Sequence, residues 1–124
     1  MTPIEDIPLL SLSAVRARDK EQWLALFEVD AVVEDPVGGH EIFDATGEGQ
    51  RGIEAIGRFY DLFSASQEAF DFDVHHRVAC GREVACFATF DMVLTGGVSH
   101  KLDLIIVYRI SSANRIQSLR AFWR

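Results

Sequence analysis

From Phe70 to Trp123 the chain alternates apolar and polar residues with a period of two, interrupted only by short turn signals, and this pattern admits little besides consecutive antiparallel strands. Phe70, Phe72, Val74, His76 and Val78 fall on one face of a first strand. Gly81-Arg82 turns the chain, and Cys86, Ala88, Phe90, Met92 and Leu94 line one face of the next. After a second turn at Gly96-Gly97, a long strand carries Leu102, Leu104, Ile106, Tyr108 and Ile110 on one face and Asp103, Ile105, Val107 and Arg109 on the other. Residues 111 to 114 supply the last turn before a final strand from Ile116 to Trp123, which contains Leu119. Both faces of the long strand are partly apolar, so burial on both sides is expected. Ile105 and Val107 predict a homodimer through the outer sheet face, and a monomer in light scattering at micromolar concentration would remove that expectation.

The first half reads differently. Leu9, Leu12 and Val15 recur at helical spacing, and Asp19 with Gln22 resembles an N-cap and capping box opening a second helix through Trp23, Leu24, Leu26 and Phe27. Residues 38 to 52, rich in glycine and acid, make a long loop; Ile53, Ile56, Phe59, Tyr60 and Phe63 then give a third helix with an apolar stripe. Helix, helix, strand, helix and then hairpins is an α+β order, with helices packed on one face of a curved sheet. At 124 residues the chain is expected to be a single domain, 1–124, that buries roughly two-thirds of its unfolded surface. A net charge of -7 repels phosphate backbones and anionic lipid alike, so neither nucleic acid nor membrane is the expected partner. With no apolar run near the ~20 residues of a membrane span, a cytoplasmic location is expected. Cys80 and Cys86 have neither metal-ligand nor redox spacing.

Within Ala31-Val32-Val33-Glu34-Asp35, followed by Pro36, the proline biases Asp35 toward extended backbone and ends the strand there. Alternation puts Ala31, Val33 and Asp35 on one face. If that face borders a cavity, desolvation raises the carboxyl pKa and makes it a proton acceptor. If it borders solvent, Asp35 is an Asp-Pro turn starter.

Other motifs lead elsewhere. Gly47-Glu48-Gly49-Gln50-Arg51-Gly52 matches a dinucleotide fingerprint but follows a polar stretch and precedes hairpins, so its glycines are read as loop punctuation. His75 and His76, adjacent in a strand, are expected on opposite faces, and no spacing suits zinc or non-haem iron. His76 shares a face with Phe72 and Val74, as a satisfied core histidine or a polar group in a pocket. Ser11, Asp103 and His76 form no readable nucleophile triad, and Asp103 is expected to pair with Arg120.

The stretch from Asp30 to Gly38, the run from Arg51-Gly52-Ile53 to Phe59-Tyr60, and the run from Arg115 to Trp123 occur in the order of, and resemble, the base-bearing segment, third helix and last strand of a ketosteroid isomerase-like, SnoaL-like member of the nuclear transport factor two-like superfamily. The resemblance implies a conical, cystatin-like barrel with three N-terminal helices on a mainly antiparallel sheet, a deep apolar pocket, a strand-packed homodimer and no cofactor. It places Asp35 as the general base that shuttles a proton between carbons of a steroid enone, Tyr60 at a supporting tyrosine and Trp123 at an aromatic wall. Ser11 stands where the family has its first-helix tyrosine and Ile106 where it has its oxyanion-hole aspartic acid, the pair of donors used by ketosteroid isomerase. The implied function is a cofactor-free acid–base enzyme of steroid delta-isomerase or polyketide cyclase type, acting on a small apolar carbonyl compound. The alternative is a non-catalytic protein that binds a hydrophobic ligand. Asp35 and Tyr60 are the expected catalytic pair. Ser11, His76, Ala88, Phe90, Met92, Leu104, Ile106, Leu119 and Trp123 are expected around the substrate, with Ala88 opposite Ile106 leaving room. Tyr60, Ser11 or His76 would replace the missing donors, and the loop from Gly38 to Gly52 would lid the mouth.

Overall fold

The structure, a computed structural model, describes residues 2–124. A turn of 3-10 helix at Ile4–Asp6 leads into α1 (Ile7–Arg16), α2 (Lys20–Leu24), β1 (Phe27–Glu34), β2 (Gln50–Arg51) and α3 (Ile53–Ala65). Four strands follow: β3 (Gln67–Cys80), β4 (Glu83–Leu94), β5 (Val98–Ile110) and β6 (Ile116–Trp123). All six strands make one sheet in the order β2-β1-β6-β5-β4-β3. Only β1 and β6 run parallel; the other neighbours are antiparallel. The α+β order expected from the hydrophobic pattern is observed with one addition: the end of the segment expected as a loop, Gln50–Arg51, pairs with β1 as β2.

Local chemistry explains most boundaries. Pro8 in the first turn of α1 is preset for a helix and lacks only an N–H that would be unpaired anyway. Asp19 caps α2 by accepting the Gln22 N–H at 3.0 Å. That helix stops at Leu24, short of the expected Phe27, because Phe27 pairs with Ile116 in the sheet and meets the Trp23 ring edge-on at 4.7 Å. Tertiary pairing outweighs the local helical spacing there. In the 38–52 loop, a Cβ on Gly49 would lie 2.9 Å from Glu34 Cγ and 3.0 Å from the Val33 carbonyl oxygen, and its φ of 81° suits glycine. The glycines of the G-x-G-x-x-G run are therefore turn and close-approach residues, as expected.

The helices pack on the inner face of the curved sheet, and the core fills the space between Ile7, Leu12, Trp23, Ile56 and Phe59 on one side and Cys86, Ala88, Leu104, Ile106 and Tyr108 on the other. On β3 the alternation breaks. A β-bulge between Val74 and His76 adds one residue, so Val74 pairs with Ala88 but His76 pairs with Phe87. One extra residue reverses every later side chain. Phe70, Phe72 and Val74 face inward as expected, whereas His76 and Val78 are exposed on the outer face. His75 and His76 consequently share that outer side instead of pointing oppositely, and no metal-binding cluster occurs among the described residues. Register also corrects two pairings. Ala88 stands opposite Leu104, while Cys86 stands opposite Ile106. Arg120 pairs with Glu34 at 2.7 Å, and Asp103 instead accepts the Thr89 hydroxyl at 2.7 Å.

Candidate active site

Asp35 lies one residue past β1 and continues its alternation beyond the fully buried Ala31 and Val33. The Val37 N–H donates to the Ala121 carbonyl at 2.8 Å, holding the chain against β6 just after the carboxylate. Trp123, the last residue of β6, donates its indole N–H to Asp35 Oδ1 at 2.7 Å. The residue keeps some accessible surface, as a group beside a cavity must, but protein surrounds the carboxylate. Desolvation raises its pKa to about 6 from 3.8, against the opposing pull of the Trp123 hydrogen bond.

Two chambers meet at this point. The inner one, about 30 Å³, is bordered by Asp35, Ser11, Tyr108 and Tyr60 amid Leu12, Val15, Phe59, Ile106 and Leu119. Such a volume holds one or two water molecules. The outer chamber, about 390 Å³, is lined by Met92, Leu94, Leu102, Trp123 and, from the 38–52 loop, His40, Ile42 and Phe43. Phe63 and Phe90 border both chambers, so the partition is made partly of rotatable rings. Phe43 roofs the junction, its ring centroid 6.1 Å from Phe59, 6.1 Å from Phe63 and 6.0 Å from Trp123. The loop is pinned beneath it, because the buried Asp44 carboxylate accepts the Gly47 and Gly49 N–H groups at 3.1 and 3.0 Å.

The inner chamber gathers Asp35, Ser11, Tyr60, Phe90, Ile106 and Leu119 from the residues singled out by sequence; Met92 and Trp123 line the outer chamber. Ala88 and Leu104 are buried in the core but border neither chamber. His76 is not part of the site, because the β3 bulge turns it outward. Tyr60 borders the inner chamber, but its hydroxyl lies beside Ser64 in the field of Arg18, Asp19 and Asp61; burial pushes its pKa up. Ser11 is buried and accepts the Trp23 indole N–H at 3.0 Å. Sequence reasoning gave no role to Tyr108. It is fully buried, it borders the chamber with Asp35, and its hydroxyl has no hydrogen-bond partner among the described residues. A signal was present: Tyr108 is the one hydroxyl on an otherwise aliphatic inward face of β5. Phe43 and His40 were hidden in a loop without periodicity.

In chemical terms the arrangement is a carboxylate poised to ionise near neutrality, sharing a space the size of a small functional group with the hydroxyl-bearing Ser11 and Tyr108, behind a larger apolar chamber. Among solved structures, RV0760c from Mycobacterium tuberculosis, in complex with estradiol-17β-hemisuccinate, is 28% identical with a TM-score of 0.88, over 100% of this chain and 95% of that one. The Δ5-3-ketosteroid isomerase from Mycobacterium sp. is 27% identical with a TM-score of 0.88, again over 100% and 95%. A computationally designed 17-OHP binder is 26% identical with a TM-score of 0.89 at the same coverage. No curated protein matches the sequence. Residues 11–119 match the SnoaL-like domain. The chain thus belongs to the SnoaL-like family, with the fold of the nuclear transport factor two-like superfamily and ketosteroid isomerase among its structural neighbours.

Proposed function

We propose that this chain, as a single domain, is a cofactor-free acid–base enzyme of steroid delta-isomerase or polyketide cyclase type, with Asp35 as the general base toward a small apolar carbonyl compound. The observation that carries the reading is a carboxylate with a pKa of about 6 set on the wall of a chamber behind an apolar one. At pH 7 roughly nine in ten such groups are ionised. Asp35 accepts a proton from a carbon next to the carbonyl. The C–H electron pair becomes a C=C bond as the carbonyl π pair moves to oxygen, and the protonated Asp35 then returns its proton to another carbon. The step needs no co-reactant. The Trp123 N–H keeps Oδ1 in place and leaves Oδ2 for the proton. Only the carbonyl edge of a guest fits the inner chamber, while an apolar body occupies the outer one after the Phe63 and Phe90 rings shift. Neighbours crystallised with a steroid conjugate or designed to bind 17-OHP support a guest of that class.

The test is turnover of a β,γ-unsaturated 3-ketosteroid, followed by enone absorbance. Asp35→Asn is expected to lower kcat by about 10²–10⁴. Equal rates would remove Asp35 from the mechanism. Ligand-dependent melting without turnover would favour the second reading, a non-catalytic binder of hydrophobic ligands, for which Ser11 and Ile106 at the family's donor positions speak. The exposed Phe87, Ile105 and Phe122 on the outer sheet face support a homodimer. Light scattering at twice the chain mass checks it.

A further inference from the structure

Enolate formation leaves negative charge on the carbonyl oxygen, and the base-bearing wall supplies no donor for it. Two hydroxyl-bearing residues that line the inner chamber keep an unused proton, Ser11 and Tyr108. Ser11 Oγ accepts the Trp23 indole N–H, so its own proton is free to be donated. Tyr108 Oη is fully buried and makes no hydrogen bond among the described residues, and the Ser11 hydroxyl is the neighbouring group able to donate to it. A phenylalanine would occupy the same volume with no unpaired oxygen. The phenol is useful only if something entering the chamber accepts its proton.

We infer that Tyr108, backed by Ser11 and Trp23, is the oxygen-binding residue of the site: the empty protein makes only the indole N–H to Oγ link, and a guest carbonyl completes the relay of Oγ–H to Oη and Oη–H to its oxygen. The inference rests on the proposed reading of Asp35 and adds the half that reading lacks. Tyr108 transfers no proton. It donates a hydrogen bond that strengthens as charge moves onto the oxygen, while Asp35 holds the abstracted proton. Burial keeps the phenol protonated through the whole working range, its pKa held well above 10. The hydroxyl comes from the middle of β5, two residues from Ile106 on the same inward face, so a donor absent from one position is supplied from the next inward one.

Three readouts on Tyr108→Phe test it. Its melting temperature should equal or exceed that of the wild type, since an unpaired buried oxygen is removed. A purely structural tyrosine would lower it. Bound testosterone, whose one carbonyl is the 3-enone, should show a carbonyl stretch moved to lower frequency in the wild type and in Asp35→Asn, but returned toward its apolar-solvent value in Tyr108→Phe. Turnover of the β,γ-unsaturated ketosteroid should fall about 10²–10³ in kcat, the usual cost of one oxyanion donor. Ser11→Ala should shift the stretch part of the way back. A wild type that shifts the carbonyl but does not turn over supports Tyr108 and sinks the enzymatic reading. Turnover that needs Asp35 but is unchanged by Tyr108→Phe sinks Tyr108 and keeps that reading. Failure of testosterone to bind the wild type overturns the inference.

Discussion

The inner and outer chambers share the Phe63 and Phe90 walls yet are built on opposite principles. The inner one, about 30 Å³, places a carboxylate and two hydroxyls among aliphatic and aromatic walls. Its carboxylate is desolvated and its phenol is unpaired, both of which cost stability in the empty protein. The outer one, about 390 Å³, is closed by ring-on-ring contacts of Phe43, Phe59, Phe63 and Trp123, which stabilise it without any ligand. On the proposed reading, one chamber reads a functional group and the other reads shape. Trp123 joins them, with its ring in the outer wall and its N–H on the inner carboxylate.

The largest effect expected outside activity is on stability. Asp35 has a folded pKa of about 6 against 3.8 for an ordinary aspartate, so between these values the folded state binds more protons than the unfolded one. Its contribution to stability is therefore greatest below pH 3.8 and is lost as pH rises through about 6. The whole difference amounts to about 3 kcal/mol at pH 7 and above. Asp35→Asn, which still accepts the Trp123 N–H, should then be more stable than the wild type by up to that amount at pH 7.5. The gap should close toward pH 4. Paired urea titrations at the two pH values read it. An Asn variant with no advantage at pH 7.5 would mean that the carboxylate is hydrated, and the contrast between the chambers would fail.

Trp123→Phe comes next. It keeps a ring in the outer wall but removes the donor that favours the ionised carboxylate, so the Asp35 pKa should rise further. The midpoint of the pH profile of kcat/KM should move above about 6, and activity at pH 6 should fall more than activity at pH 8. Loss of a hydrogen bond to a charged group is worth about 1.5–3 kcal/mol. An unmoved midpoint would detach Trp123 from the base and leave it a wall alone.

What the sequence made legible follows period and local chemistry. Strict alternation in β4 and β5 identified the inward faces that form the chamber walls, and the apolar neighbours of Asp35 marked its face correctly. The β3 bulge could not be read the same way. Its single extra residue lies between Val74 and His76 with no glycine or proline to announce it, and it sends His76 to the outside. Phe27 failed for a related reason, since helical spacing is local whereas its partner Ile116 lies 89 residues along the chain. Tyr108 was visible on the correct face, but its significance depends on its hydroxyl finding no partner, which only three-dimensional packing decides. Phe43 lies in a loop whose conformation is set by Asp44 and positive-φ glycines, so no pattern in sequence gives the direction of its ring.

The smallest effect, and the most direct check that the chambers act separately, is expected from Phe43→Ala. The loop should survive the change, because its anchors are elsewhere: Asp44 holds the Gly47 and Gly49 amides, and the Gln50 side chain donates to the residue 43 carbonyl at 2.8 Å. Removing a half-buried ring should cost roughly 1–2 kcal/mol, less than the ~3–5 kcal/mol of a fully buried one. The open mouth should speed association of an apolar ligand in stopped-flow measurements, and the lost ring contact should raise KM several-fold. Neither change reaches the carboxylate. The pH midpoint should therefore stay at about 6, in contrast with Trp123→Phe. If Phe43→Ala instead lowers the midpoint toward that of a solvated aspartate, water has reached Asp35 through the roof. The aromatic loop would then be part of what keeps the base desolvated, and the two chambers would be one.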